Sequence, residues 1–169
     1  MNSTLAAWNA AHEAAAFDAM IACCSARRWA AAMVALRPIE SPEKLSAAAD
    51  EIWSTMEVQD WMEAFQCHPR IGECEATHAT VKSEEWSKQE QSMTAAANAD
   101  VLARLAEGNA VYEQRFGFTY IVCATGKSAA EMLAILERRL TSERETELRE
   151  AAEQQRQITQ IRLRKWLAE

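Results

Sequence analysis

The stretch Cys67-His68-Pro69-Arg70-Ile71-Gly72 is where residue types and order point most directly to chemistry. Histidine is the side chain that gains and loses a proton nearest neutral pH, so it is the usual general acid or base. Proline pushes the residue before it out of the helical region. A helix that arrives through Trp53, Met56, Trp61, Met62 and Phe65 therefore ends here and leaves His68 extended. A histidine braced in this way points into a cleft with little freedom left to lose. The same arrangement also fits a plain helix cap, with the imidazole covering the last carbonyls.

Two further polar residues sit where a helical pattern asks for apolar ones. Trp86, Glu90, Met93 and Ala97 fall at i, i+4, i+7 and i+11 and so share one helical face. A carboxylate on that stripe must be paired, hydrogen-bonded or protonated, unless the stripe is shifted and Glu90 is solvated. Ser87 and Gln91 lie beside it. Near the C-terminus, Leu148, Ala151, Ala152, Gln155, Ile158 and Arg162 form a second stripe that ends on a cation. A planar guanidinium suits an anionic or amide-rich ligand, while the ordinary alternative is an arginine snorkelling at a helix edge. One inward Glu, one inward Arg and one proline-braced His together make a polar pocket among helices.

Two other patterns fail on spacing. Thr125-Gly126-Lys127-Ser128 opens a helix after a β-prone run, but a phosphate-binding loop needs glycine five residues before Gly126, and that position is Ile121. Cys67, His68, Cys74 and His78 invite a zinc reading, yet C-x6-C-x3-H is not a standard ligand set. No metal or cofactor is expected.

The elements that position these residues read as helices. The chain of 169 residues is long enough for one domain with a real core, and it is read as a single domain over 1–169. Only four glycines and three prolines leave little room for hairpins, and alanine is abundant. The net charge of −7 argues against a nucleic-acid or anionic-membrane surface. No apolar run reaches membrane-spanning length. Five cysteines, an odd number in no disulfide-like spacing, and the lack of a leader-like N-terminus suit a reducing, cytoplasmic compartment.

In chain order, helical spacing runs from Leu5 to Ala15, from Phe17 to Cys24 and from Trp29 to Leu36, broken at Arg37-Pro38 and Ser41-Pro42. It restarts at Leu45 and continues to Phe65. A polar connection from Glu73 to Lys82 leads to a helix capped by Ser83 and expected to reach about Leu105, with Gly108-Asn109 a loop or weak point. Phe118 to Cys123 is the β-prone run. A helix begins near Ser128, and Thr141 or Ser142 caps a last long one. The fold expected is all-α, a single compact multi-helix domain with one short extended segment before the penultimate helix.

With these residues in view, the chain resembles the 2-oxo-4-hydroxy-4-carboxy-5-ureidoimidazoline (OHCU) decarboxylases, the last enzymes of the uricase route from urate to allantoin. The likeness runs nearly end to end. It rests on Cys23-Cys24-Ser25-Ala26-Arg27-Arg28-Trp29, on His68-Pro69-Arg70-Ile71-Gly72 and on Ser87-Lys88-Gln89-Glu90-Gln91, which is similar to the family's SxxEQ. It continues through the Phe116-Gly117-Phe118 segment to Ser128 and then Ile161-Arg162-Leu163. Thr119 departs from the pattern, since many members carry proline there.

The resemblance implies an all-helical, cofactor-free decarboxylase, commonly a homodimer, with no nucleic-acid or membrane partner. It identifies His68 as catalytic acid/base and Glu90 as its partner. It implies substrate contacts from Pro69, Ser87, Gln91, Arg162 and the backbone of Tyr120, Ile121, Val122, Cys123 and Ala124. Two rival readings remain open at this point. One is a non-catalytic helical module holding a ureide or purine-like ligand in the same pocket. The other is a metal-dependent hydrolase built on His68, Cys74 and His78.

Overall fold

Short polar side chains set where the helices start. In the computed structural model, which describes residues 2–72, 79–92 and 97–169, Asn2 accepts from the Leu5 N–H and opens α1 (Ser3–Ala10). Helices α2 (Glu13–Cys23) and α3 (Arg27–Ala35) follow after brief extended breaks. Ser41 accepts from the Lys44 N–H with Pro42 in the first turn, and so starts α4 (Pro42–Ser54). After α5 (Val58–Gln66), Thr80 caps α6 (Val81–Glu90) and Asn98 caps α7 (Ala99–Phe116). Ser128 and Glu131 form a reciprocal capping box on α8 (Ala129–Arg139), and α9 (Arg144–Leu167) ends the fold. The protein is all-α: the described residues hold these nine helices and no strand.

The chain divides into two compact units, Met1–Ala64 with Arg156–Glu169, and Phe65–Gln155. In the first, Trp8, Met20, Trp29, Met33 and Leu45 are buried. Both tryptophans find acceptors for their indole N–H, Trp8 on the Ala16 carbonyl at 2.9 Å and Trp29 on the Ala49 carbonyl at 3.1 Å. Buried indoles need such partners to avoid an orphaned donor. Arg37 donates to the Trp8 and Ala11 carbonyls, both at 2.8 Å, at the C-terminal end of α1, where a cation is favoured. Arg156 pairs with Asp50 at 2.9 Å, and Gln160 donates to Asp50 and the Ser46 carbonyl, tying the end of α9 to α4.

In the second unit an aromatic cluster of Phe65, Tyr112, Phe116, Phe118 and Tyr120 fills the core, with ring centroids 4.7 to 6.2 Å apart. Gly108 sits inside α7, not in a loop. A Cβ there would lie 2.6 Å from Leu136 Cδ2, so the glycine is the price of a close approach of α7 to α8. Gly117 ends α7 in the left-handed region at φ 81°.

The structure differs from the sequence reading at several helix ends. The Leu45 to Phe65 pattern is broken at Thr55–Glu57, giving α4 and α5. The helix over Ser83 begins earlier, with Thr80 as cap and Ser83 buried in its first turn, and it stops at Glu90. A new helix starts after Asn98, whose side chain accepts from the Asp100 N–H at 2.8 Å. The expected stripe of Trp86, Glu90, Met93 and Ala97 is therefore cut: Met93 lies outside the described residues, and Ala97 precedes the cap of α7. The last helix begins at Arg144, beyond Thr141 and Ser142. Phe118 to Cys123 is extended and joins no sheet.

Candidate active site

Every residue of the expected site except Arg162 belongs to the Phe65–Gln155 unit. His68 follows α5 directly. Its N–H donates to the Phe65 carbonyl at 3.1 Å, and Pro69 is buried behind it. The chain beyond is clamped at three points. Arg70 makes a two-pronged ion pair with Glu113 of α7, at 2.8 and 2.7 Å. Asn109 of α7 donates to the Ile71 carbonyl at 3.0 Å, in the interior. The Gly72 N–H, on a residue at φ 93°, donates to the side-chain oxygen of Gln91 at 2.9 Å. The bidentate geometry of the first clamp is the kind that orients as well as attracts.

The half-buried His68 ring is itself held: Nε2 lies 2.7 Å from the side-chain oxygen of Gln155 on α9. Sequence reasoning placed Gln155 on the apolar stripe of the last helix but gave it no role. The signal was there, a polar residue at an inward position, and only the fold names its partner.

Helix α6 brings Trp86 and Ser87 inside, with Glu90 half-buried in its last turn and Gln91 as its C-cap. Lys82 lies over the Trp86 ring, 5.1 Å from its centre. A carboxylate at the C-terminal end of a helix reverses the usual placement, which favours cations there. Local rules are broken most often where function requires it.

The extended segment Tyr120–Ala124 is buried along its length. Side chains take three of its backbone groups, and the Lys127 N–H takes a fourth, the Ala124 carbonyl, at 3.0 Å. Arg139 donates to the Ile121 carbonyl at 2.6 Å, the Cys123 N–H donates to Gln154 at 2.9 Å, and Lys127 donates to the Cys123 carbonyl at 2.8 Å. Ile121 and Cys123 point their backbone groups to one side, and the pleat turns those of Val122 to the other. The Val122 N–H and carbonyl make no hydrogen bond among the described residues.

Behind this segment sits a sealed polar cluster. Arg139 donates to Glu147 from Nε at 2.6 Å and to the Tyr112 hydroxyl at 3.3 Å, and Tyr112 donates to the same Glu147 oxygen. Burial pushes the Tyr112 and Tyr120 hydroxyls well above the usual phenol range, against the pull of Arg139. Burial works against the charge of Arg139, but Glu147 and the two tyrosines outweigh it and the guanidinium holds its proton more tightly than usual. Of these four, only Tyr120 is singled out from the sequence, and then for its backbone.

Arg162 is buried in the first unit. That unit also contains a cavity of about 480 Å³ between the start of α4 (Pro42, Leu45, Ser46) and the end of α9 (Leu163, Arg164, Leu167). None of the expected site residues lines it. Cys74 and His78, the ligands of the zinc reading, lie outside the described residues. Among the described residues no three His, Cys, Asp or Glu side chains gather where a metal ion could be held.

Comparison with known proteins gives a consistent result. The family model for OHCU decarboxylase matches residues 9–164. The chain is 37% identical over 144 residues to the uric acid degradation bifunctional protein TTL of Arabidopsis thaliana, covering 85% of this chain and 44% of that one. It is 30% identical over 134 residues to the OHCU decarboxylase of Amia calva, covering 79% and 77%. A solved structure of an OHCU decarboxylase in the presence of (S)-allantoin superimposes with a TM-score of 0.78 at 33% identity, over 90% of this chain and 99% of that one. A solved (S)-allantoin synthase shares the fold, with a TM-score of 0.71 at 20% identity over 96% of this chain and 53% of the other.

Proposed function

This chain belongs to the OHCU decarboxylase family, and we propose that it converts OHCU to (S)-allantoin, releasing CO2. The observation that carries the reading is the likeness to an OHCU decarboxylase solved in the presence of (S)-allantoin, which extends over 99% of that chain.

The chemistry explains what the residues have to do. The substrate carboxylate is on a carbon next to a ring C=N. When the C–CO2 bond breaks, its electron pair moves toward that C=N, so the substrate supplies its own electron sink. The protein has to orient the breaking bond, relay protons and deliver one proton to a single face of the ring. In this reading His68 and Glu90 do the proton work. Ser87, Gln91 and the buried Pro69 shape and hold the substrate. Arg162 is carried as a substrate contact on the resemblance alone.

The backbone contact expected from Tyr120 to Ala124 narrows to Val122. Its N–H and carbonyl are turned away from the groups that Arg139, Gln154 and Lys127 hold, and a fixed donor of this kind stabilises developing charge without reorganising. Exclusion of water protects the stereochemistry, because the spontaneous decay has no face preference.

Two further expectations belong to this reading. One is a cytoplasmic location, which fits Cys23, Cys24, Cys67 and Cys123 lying outside any disulfide among the described residues. No helix among the described residues is long and apolar enough to cross a membrane. The other is a homodimer, which sedimentation of the purified chain tests.

The activity itself is tested by circular dichroism on OHCU freshly generated by uricase and hydroxyisourate hydrolase. The reading expects faster formation of (S)-allantoin when this protein is added, with EDTA making no difference. Racemic allantoin at the spontaneous rate would overturn it, and loss of activity on chelation would revive the metal reading.

A further inference from the structure

The imidazole of His68 has two nitrogens, and a proton relay needs to know which one is available. In the neutral ring one nitrogen carries the proton and the other the lone pair, and the hydrogen bond made by one fixes the role of the other. Here the partner of Nε2 is the amide oxygen of Gln155, at 2.7 Å. A carbonyl oxygen only accepts, so the nitrogen facing it must donate. Gln155 is itself 1% exposed, in the interior of α9. It also has no charge to gain or lose, so it favours the same tautomer wherever the ring is neutral.

We infer that Gln155 is a positioning residue that fixes neutral His68 in the Nε2–H tautomer, making Nδ1 the nitrogen that accepts a proton during turnover and returns it. This rests on the decarboxylase reading for the turnover, but not for the tautomer. The neighbouring Gln154 is placed by the same helix to hold the Cys123 N–H at 2.9 Å, while its own NH2 donates to Glu150 at 3.0 Å. One turn of α9 therefore orients both the candidate acid/base and the extended backbone.

The test is long-range ¹H–¹⁵N correlation on the full chain labelled at histidine, at a pH above the ordinary histidine range. The His68 signals are assigned by their loss in His68→Gln. The expected result is a protonated Nε2 and an unprotonated Nδ1 in the unaltered protein. Gln155→Leu should give a mixture of tautomers, and Gln155→Glu, which keeps an acceptor at that place, should restore one. In kinetics Gln155→Leu should lower kcat roughly tenfold with KM little changed, the order of one lost orienting hydrogen bond. A protonated Nδ1 in the unaltered protein, or an unchanged tautomer in Gln155→Leu, overturns the inference. The first of these readings needs no variant to fold. An Nε2–H tautomer in a protein that fails to turn over OHCU would strike the decarboxylase reading and the kinetic part, and would leave the assigned tautomer standing.

Discussion

Two polar regions of the Phe65–Gln155 unit, the Arg139–Glu147–Tyr112 cluster and the surroundings of His68, are built differently. Around Arg139, Glu147 and Tyr112 every member is at most 2% exposed, and each bond runs to another member or to the Ile121 carbonyl. Around His68 the half-buried imidazole meets Gln155, and the backbone that follows is clamped by Arg70, Asn109 and Gln91. The sealed one pairs Arg139 with one oxygen of Glu147, while the other Glu147 oxygen, Oε2, is buried without a hydrogen-bond partner among the described residues. The half-open one leaves the His68 imidazole half-buried. Within this unit the buried ion pair holds shape, while the half-buried imidazole is the candidate for chemistry.

The contrast can be broken from either side. The largest effect is expected at the half-open cluster: His68→Ala and Glu90→Ala should each lower the rate ~10²–10⁴-fold. The double variant should be little worse than either single one, because groups on one proton path do not act additively. Initial rates on fresh OHCU check this, and additive losses would separate the two residues. At the sealed cluster, Arg139→Met leaves the Glu147 carboxylate buried without its partner, which should cost about 3–5 kcal/mol of stability. Adding Glu147→Leu should recover much of that, a coupling that denaturant titration of both variants would reveal.

Smaller effects sharpen the boundary between shape and chemistry. Gly108→Ala puts a methyl group against Leu136 and should cost about 1–3 kcal/mol despite the better helix propensity of alanine. A gain in melting temperature would mean that Leu136 gives way easily. Ser128→Ala removes one half of the capping box on α8 and should cost about 1 kcal/mol, read as a small drop in melting temperature with turnover kept.

How far the sequence reveals these features depends on whether the deciding contact is local. Pro69 ends a helix by its own sterics, so the placement of His68 after α5 is readable from five residues. Ser128 with Glu131 announces the start of α8 in the same way. The all-α character follows from periodicity alone. The end of α6 was harder, because the alanine-rich run after Glu90 keeps helical propensity; Asn98 with Asp100 behind it was the overlooked start signal. Gly108 reads as a weak point until Leu136 is seen against it. Arg139 carries no mark in the sequence, and only tertiary packing shows that it is inside. The partnership of His68 with Gln155 spans 87 residues and has no local signature at all.

The most direct test of the central claim, that the half-open cluster at His68 carries the chemistry, is a paired measurement on His68→Ala: melting temperature, and circular dichroism of the allantoin formed from fresh OHCU. The account predicts a melting temperature close to that of the unaltered protein, with allantoin appearing as the racemate at the spontaneous rate. Formation of (S)-allantoin at a near-native rate by His68→Ala would contradict it.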